Sequence, residues 1–316
     1  MNGKFLFVGD IHQTHISPSI RTETYAEDIF AKLEATVEIA KREEVNGVIW
    51  MGDVHHNPHP FKVSHEITKR ISQLAKSYEV PLWVLVGNHD ILNGVLEEAW
   101  TRQPIALLDE VENVTLLGWD RTEIHPNVSV HPIPGVPHLE IDYYKIKGRK
   151  THYDIILAHQ SIARPGSEPP FSHVKAEEVA AISGANYVAY GHLHGNDGHY
   201  KIGDTTFANY GSICRGSIDK SDLTKIPTVY TLELKDGIET ITPFVLPYKP
   251  AEEVFRLEQH VEKKEAKLEF SKYVKSLMDI SVEKFSVDGV VSHLTNRADV
   301  ERHVADKAIS CIREVV

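Results

Sequence analysis

Five apolar runs in this chain end in side chains able to hold a metal ion. LFVGDIH carries Asp10 and His12, VIWMGDVHH carries Asp53, His55 and His56, and WVLVGNHD carries Asn88, His89 and Asp90. IILAHQ adds His159, and VAYGHLH adds His192 and His194. Aspartates bring charge, asparagine brings a neutral carbonyl oxygen, and imidazole nitrogens select manganese, iron or zinc over calcium. One carboxylate can also bridge two ions. A nitrogen and oxygen mixture of this kind suits a two-metal site with ions about 3.5–4 Å apart. Each fragment alone is ordinary turn or surface chemistry. Five in series, each at the end of an apolar run, are not.

The elements that must carry these residues are legible in outline. Lys4–Gly9 reads as a strand, residues 24–43 as a helix with Ile29, Leu33, Val37, Ile39 and Ala40 on one stripe, and Gly47–Met51 as a buried strand. Residues 64–78 read as a helix and Leu82–Val86 as a third strand. This alternation implies βαβ units and a largely parallel sheet. In such sheets, sites form beyond the carboxyl ends of the strands, so ligands from separate strands converge on one cleft. Glycines such as Gly52 and Gly87, set between strand and candidate ligand, allow a sharp turn and a close approach.

Past residue 100 short strands dominate: Val114–Leu117, Val128–Ile133, Asp154–Ala158, Tyr187–Tyr190, Thr205–Tyr210 and Thr228–Leu234, with a helix near 175–183. From about 250 the chain reads as helical and charged, in a segment over 251–280 and another over 297–315, joined by a turn at Asp288–Gly289. LPYKP at Leu246–Pro250 is the boundary, giving a catalytic domain over 1–248 and a mostly helical region over 249–316. Residues 251–316 hold 11 Lys and Arg against 13 Asp and Glu, so the tail is not a basic arm. Its apolar stripes suit docking on its own domain or on a partner.

The 316 residues carry a net charge of −11, which argues against coating nucleic acid with the whole surface. A local nucleic-acid site whose positive charge comes from metal is compatible with it. Two cysteines, Cys214 and Cys311, exclude a disulfide scaffold and a cysteine-rich zinc site, and both read as unpaired packing residues in a reducing compartment. No apolar run reaches the roughly 18 residues of a membrane helix, and the first ten residues do not form a signal peptide. The expectation is a soluble cytoplasmic protein without a membrane partner.

D-x-H, GD-x-x-H, GNH-D, a lone H and G-H-x-H, in that order over residues 10–194, resemble the calcineurin-like metallophosphoesterases. The resemblance implies an α/β fold, a four-layer αββα sandwich, here with a C-terminal mostly helical extension. It implies two divalent ions, most simply Mn2+. Asp10, His12, Asp53 and His194 would surround one, and Asp53, Asn88, His159 and His192 the other, with Asp53 bridging. It makes His89 the phosphate-contacting, general-acid-type histidine. A non-catalytic scaffold on this fold would have lost ligands, whereas here every expected position is filled.

The second motif separates branches of that family. Phosphoprotein phosphatases carry an arginine in an extended GD-x-V-DRG signature, and GDVHHN has none. His56, three residues past Asp53, resembles the GD-x-F-H form of SbcD-type DNA-repair nucleases, with His55 in place of Phe. Arg21 ahead of Glu27 and Asp28, and NYGSICRGS with Tyr210 in place of Pro, follow the manner of that branch. By resemblance the activity is a Mn2+-dependent DNA exo- and endonuclease in repair and recombination. The tail caps DNA and contacts an SbcC-type coiled-coil ATPase, and the subunit dimerises through helices near the first and third motifs. Apolar residues in 64–78 and 91–108 could serve that dimer or the core. A compact phage version, working in the host cytoplasm, fits the short chain. The alternative is a small-molecule or cyclic-nucleotide phosphodiesterase.

His56 could orient His89 or substrate, or act as a hydrogen-bond partner behind the ligands. Arg21 and His15 lie close after the first motif and could touch substrate or shape the rim. Tyr143, Tyr144, Lys145, Lys147, Arg149 and Lys150 form an aromatic and basic cluster suited to phosphates and base stacking, or a solvated hairpin turning at Gly148.

Overall fold

The computed structural model describes residues 2–137, 139–146, 152–196, 198–218 and 220–257, and beyond these 272, 291, 294–295 and 300–315. It divides into two units, Met1–Leu257 and Glu258–Val316. In the first, β1 (Asn2–Val8), α1 (Tyr25–Arg42), β2 (Gly47–Trp50), α2 (His65–Ser77) and β3 (Leu82–Leu85) give the alternation the sequence predicts. A short α3 (Ala106–Asp109) leads into β4 (Val114–Leu117). Then come β5 (Thr122–His125), β6 (Val128–Ile133), β7 (Tyr153–Ala158), the two-residue β8 (Ile162–Ala163) and β9 (Val174–Lys175), and α4 (Ala176–Ser183). The unit continues with β10 (Tyr187–Tyr190), β11 (Gly198–Ile202), β12 (Thr205–Asn209), β13 (Thr228–Lys235) and β14 (Ile238–Val245).

The first sheet has the order β14-β13-β1-β2-β3-β4. Its β1 to β4 pair in parallel, while β13 and β14 close one edge antiparallel. The second has the order β11-β12-β10-β7-β6-β5, with a parallel centre between antiparallel edge strands. The two-residue period of each strand sorts its side chains between layers. Leu6 and Val8 of β1 join Ile29, Leu33, Ile67 and Ile71 under the helices. Phe5 and Phe7, one residue out of phase, face Val130, Ile155, Leu157 and Tyr187 between the sheets. Ile156, Val188 and Phe207 turn the other way, toward Val179 of α4. The result is the four-layer αββα sandwich.

α1 carries Glu27 and Asp28 in its first turn and Lys41 and Arg42 in its last, matching the helix dipole at both ends. Ser64 caps α2 by accepting the Ile67 N–H at 3.2 Å. Of the apolar residues in 64–78 and 91–108 considered for a dimer surface or the core, Ile67, Ile71, Leu74, Leu96, Ala99, Ile105 and Leu108 are buried in the core of this unit, while Val95 and Leu107 are exposed.

Five strands escaped the sequence reading: the two-residue β8 and β9, which pair only with each other, and β5, β11 and β14. The last three lie at sheet edges, where one face stays wet and the apolar pattern weakens; β14 also carries Pro243, tolerated on an edge. The helix expected from 251 stops after Val254, because Phe255 is extended and bridges to Arg21. In the second unit a helix spans Arg302–Val315. The turn at Asp288–Gly289 and the rest of the 258–280 segment, apart from residue 272, lie outside the described residues. No helix among the described residues is long and apolar enough to cross a membrane.

Candidate metal centre

β1, β2, β3, β7 and β10 all deliver their polar residues just past their carboxyl ends: Asp10, Asp53, Asn88, His159 and His192 in turn. His12, Asp53 and His192 have positive φ angles of 52°, 48° and 73°. For residues with a Cβ this conformation costs of order 1 kcal/mol each and persists only where the surroundings fix it. Here they do. The His12 N–H donates to the Asp53 carbonyl at 2.7 Å, and the His192 N–H donates to Asp10 Oδ2 at 3.0 Å. The Asp53 side chain in turn accepts the His89 N–H on Oδ1 at 2.8 Å. Gly52, at φ 106°, is required: a Cβ there would run into the His159 imidazole.

Asp53 stands between two groups of donors. On one side, His12 Nε2 lies 3.4 Å from Asp53 Oδ2 and 2.9 Å from His194 Nε2, with Asp10 Oδ2 3.8 Å from His194. On the other, His159 Nε2 lies 3.2 Å from Asp53 Oδ2 and 3.1 Å from Asn88 Oδ1, and His192 Nδ1 lies 2.8 Å from that same amide oxygen. The ligand atoms of Asp10, His12 and Asp53 fall within 4.8 Å of one another, as do those of Asp53, His159 and His192. His159 Nδ1 donates to the Met51 carbonyl at 2.8 Å, which fixes the ring with Nε2 toward Asp53.

The electrostatics fit a cation. Burial pushes the Asp10 carboxyl up to about 8, against the pull of His159. Its Oδ1 is buried with no hydrogen-bond donor. Burial also opposes the Asp53 charge, but His159, His12 and His89 outweigh it and hold that carboxyl below the usual range. His159 is its counterpart: burial alone would lower it, and Asp53 and Asp10 raise it to about 10. Burial depresses His12, His194 and His192, the last to about 4, so these rings stay neutral with lone pairs available. Two aromatic nitrogens 2.9 Å apart beside two buried carboxylates form a donor set for divalent ions, which bind by displacing protons from such groups.

Of the other residues singled out, His89 donates from Nδ1 to the His56 carbonyl at 2.7 Å, and its ring centroid lies 4.8 Å from that of His12. The His56 ring is 5.7 Å from both. Asp90 accepts the backbone N–H groups of Val54, His55 and Gly87, so it shapes the loops. Arg21, considered for substrate, is 2% exposed and donates to the Arg215 carbonyl and to Asp28. Its short spacing from the first motif hides a chain that turns inward. Tyr143 is exposed and packs against exposed Trp119, with ring centroids 5.2 Å apart, while Lys145 pairs with Asp142 at 2.7 Å. Lys147, Arg149 and Lys150 lie outside the described residues.

Cys214 is the residue that sequence reasoning missed. Its buried sulfur lies within 4.8 Å of the nitrogens of His12 and His194. Nothing local announces this, because the loop reaches the site through long-range bonds to Asp10, from the Ser212 hydroxyl at 2.9 Å and the Ile213 N–H at 3.0 Å to its carbonyl.

The chain belongs to the calcineurin-like phosphoesterase family, whose sequence model matches residues 3–196. Members are metal-dependent hydrolases of phosphoesters. The chain is 25% identical over 174 residues to the DNA double-strand break repair protein Mre11 of Saccharolobus solfataricus, a match covering 53% of this chain and 42% of that protein. Two solved structures share the fold. A dimetal phosphatase from Danio rerio superposes with a TM-score of 0.53 at 12% identity, covering 78% of this chain and 99% of that one. TT1561 of Thermus thermophilus gives 0.51 at 13%, covering 78% and 100%.

Proposed function

We propose that the protein is an SbcD-like DNA nuclease, hydrolysing phosphodiester bonds with two Mn2+ ions. The observation that carries the two-metal reading is Asp53 Oδ2, flanked by His12 at 3.4 Å and His159 at 3.2 Å. Asp10, His12, Asp53 and His194 hold one ion, and Asp53, Asn88, His159 and His192 the other. Bound there, such ions neutralise phosphoryl oxygens and make water a nucleophile at neutral pH. His89, fixed through Nδ1, presents Nε2 to the phosphate or the departing oxygen as a hydrogen-bond and proton donor. His56 contributes its carbonyl to that orientation. The similarity to Mre11 supports DNA as substrate, and the exposed Trp119–Tyr143 pair, beside Lys145, offers a stacking surface. In this reading the 249–316 region docks an SbcC-type ATPase, the subunit works as a homodimer, and its compartment is the cytoplasm.

One observation favours the small-substrate alternative. A cleft of about 470 Å³ opens from Asn88, His159 and His192 past Gln160, Ser172 and His173, and among the described residues no Lys, Arg, Asp or Glu lines it. An uncharged cleft suits a compact neutral group attached to the phosphate. The test is Mn2+-dependent cleavage of end-labelled duplex and single-stranded DNA, run beside a chromogenic diester and a cyclic nucleotide, with Asp53→Asn as the contamination control. Asp53-dependent DNA degradation supports the nuclease. Hydrolysis confined to the small diesters, persisting with the ATPase present, supports the alternative.

A further inference from the structure

On the helix side of the first sheet, α1 meets the loop after β12 and the segment at 247–254. The cavity between them has a volume of about 150 Å³. Arg21, Lys32, Arg215 and Lys249 line it, against one carboxylate, Asp28. Most of these charges are already used. Arg215 gives its donors to the carbonyls of Asp222, Leu223 and Lys249, and Arg21 bonds the Arg215 carbonyl and Asp28. Asp28 also accepts from Thr24 and lies 3.3 Å from the Lys249 ammonium. Nearby Asp222 is taken up by the N–H groups of Gly216 and Ser217 and by Lys225.

Lys32 is different. It sits on the buried face of α1, 3% exposed, among the residues lining the cavity. It has neither a hydrogen bond nor an ion pair among the described residues. Arg21 Nε is a second buried donor without a partner. An unpartnered buried ammonium is costly, and of the two arginines only Arg21 has a carboxylate partner, the hydrogen bonds of Arg215 going to neutral carbonyls. Burial pulls the Lys32 ammonium down to about 8, so it is still charged at neutral pH.

We propose that this cavity binds one tetrahedral oxyanion, a phosphate or a phosphoryl group, with Lys32 as its principal donor and Lys249 at its mouth. The volume admits one such group and little more. The donors offered are the three N–H bonds of Lys32 and, at the wall, the Tyr248 hydroxyl, in a lining of four cationic side chains and one carboxylate. None of the lining residues is among the candidate metal ligands, and the site does not depend on which phosphoester the enzyme cleaves.

The test titrates inorganic phosphate at constant ionic strength into the full-length chain with divalent ion in excess, followed by calorimetry and thermal shift. Running it in the wild type and in Asp53→Asn separates this cavity from the metal centre. The expected result is a saturable event that survives Asp53→Asn, is weakened about tenfold or more by Lys32→Met and less by Lys249→Ala. Sulfate should compete. If Lys32→Met does not fold, Lys249→Ala, whose side chain is half exposed, still reads the site. No saturable event in Asp53→Asn, or one that neither substitution weakens, overturns the proposal. A dinucleotide with and without a 5′-phosphate then chooses the source: displacement of phosphate by the phosphorylated form alone assigns an esterified phosphoryl group, and no displacement assigns the free ion.

Discussion

Nδ1 of His89 donates to the main-chain carbonyl of His56 across 2.7 Å. Two motifs that lie 33 residues apart are thereby locked, and the lock uses backbone rather than the His56 imidazole. The orientation of the general-acid candidate is therefore insensitive to the side chain at 56.

His89→Gln should lower turnover about 10²-fold while leaving both metal affinities near wild type. His56→Ala should leave the His89 ring in place and reduce turnover by much less. Steady-state kinetics with metal calorimetry on both variants check this. Loss of a metal from His89→Gln would make His89 a ligand instead.

Asp53→Asn should cost at least about 10²–10³ in turnover and remove one of two metal-binding events, because that carboxylate faces both donor groups. The fold should persist, since the Asn side-chain oxygen can still accept the His89 N–H. Calorimetric stoichiometry and circular dichroism give the readout, and two intact binding events would contradict a bridging role.

Gly52→Ala should be far more harmful than an ordinary loop substitution. Its Cβ meets His159, and φ of 106° is open only to glycine. We expect lost metal affinity together with destabilisation of about 2 kcal/mol or more, measured by denaturant unfolding. Wild-type stability would show that the turn relaxes easily.

Lys32 supplies a pH signature. Its folded-state value, about 8, is below the ordinary lysine value because burial opposes the charge; Cys214 and Asp28 pull it up, and Arg21 and Arg215 push it down. Between about 8 and 10.5 the unfolded chain binds more protons, so this group makes stability rise with pH there. Lys32→Met should therefore be the more stable protein at pH 7 in phosphate-free buffer, by about 1–3 kcal/mol, with the gap closing by pH 10. A gap that does not change with pH would show that Lys32 is not held charged against its surroundings.

A chain ending at residue 257 should keep hydrolysis of a chromogenic diester and, under the proposed docking role of the tail, lose association with an SbcC-type ATPase. Ending it at 250 should be worse, because Phe255 packs against the guanidinium groups of both Arg21 and Arg215, at 5.1 and 5.5 Å. Pull-down and melting curves on the two truncations distinguish docking from folding.

The donor cluster was legible because each ligand follows an apolar strand within a few residues, and parallel sheets send such steps to one end. The four layers came from the family resemblance, because Phe5, Leu6, Phe7 and Val8 are all apolar and only the folded strand sorts them between two cores. Arg21 was misplaced because nearness in sequence to His12 says nothing about which way the chain then turns. Cys214 and the Lys32 cavity were invisible for a related reason. Both depend on the loop after β12 folding back on Asp10 and α1, a contact between residues some two hundred apart. A lysine at a buried helical position reads in sequence as an ordinary break in an amphipathic stripe.

The donors past β1, β2 and β3 come from one sheet, and those past β7 and β10 from the other. Ions held among them would act as rivets through the sandwich, fastening two layers that otherwise meet mainly through apolar side chains. Chelation would then loosen the seam first at the strand ends, so amide exchange near Met51, Gly87 and Tyr190 would quicken before the helix-covered core responded. Cleaving phosphoesters and holding the sheets together would be two readings of one inventory of atoms.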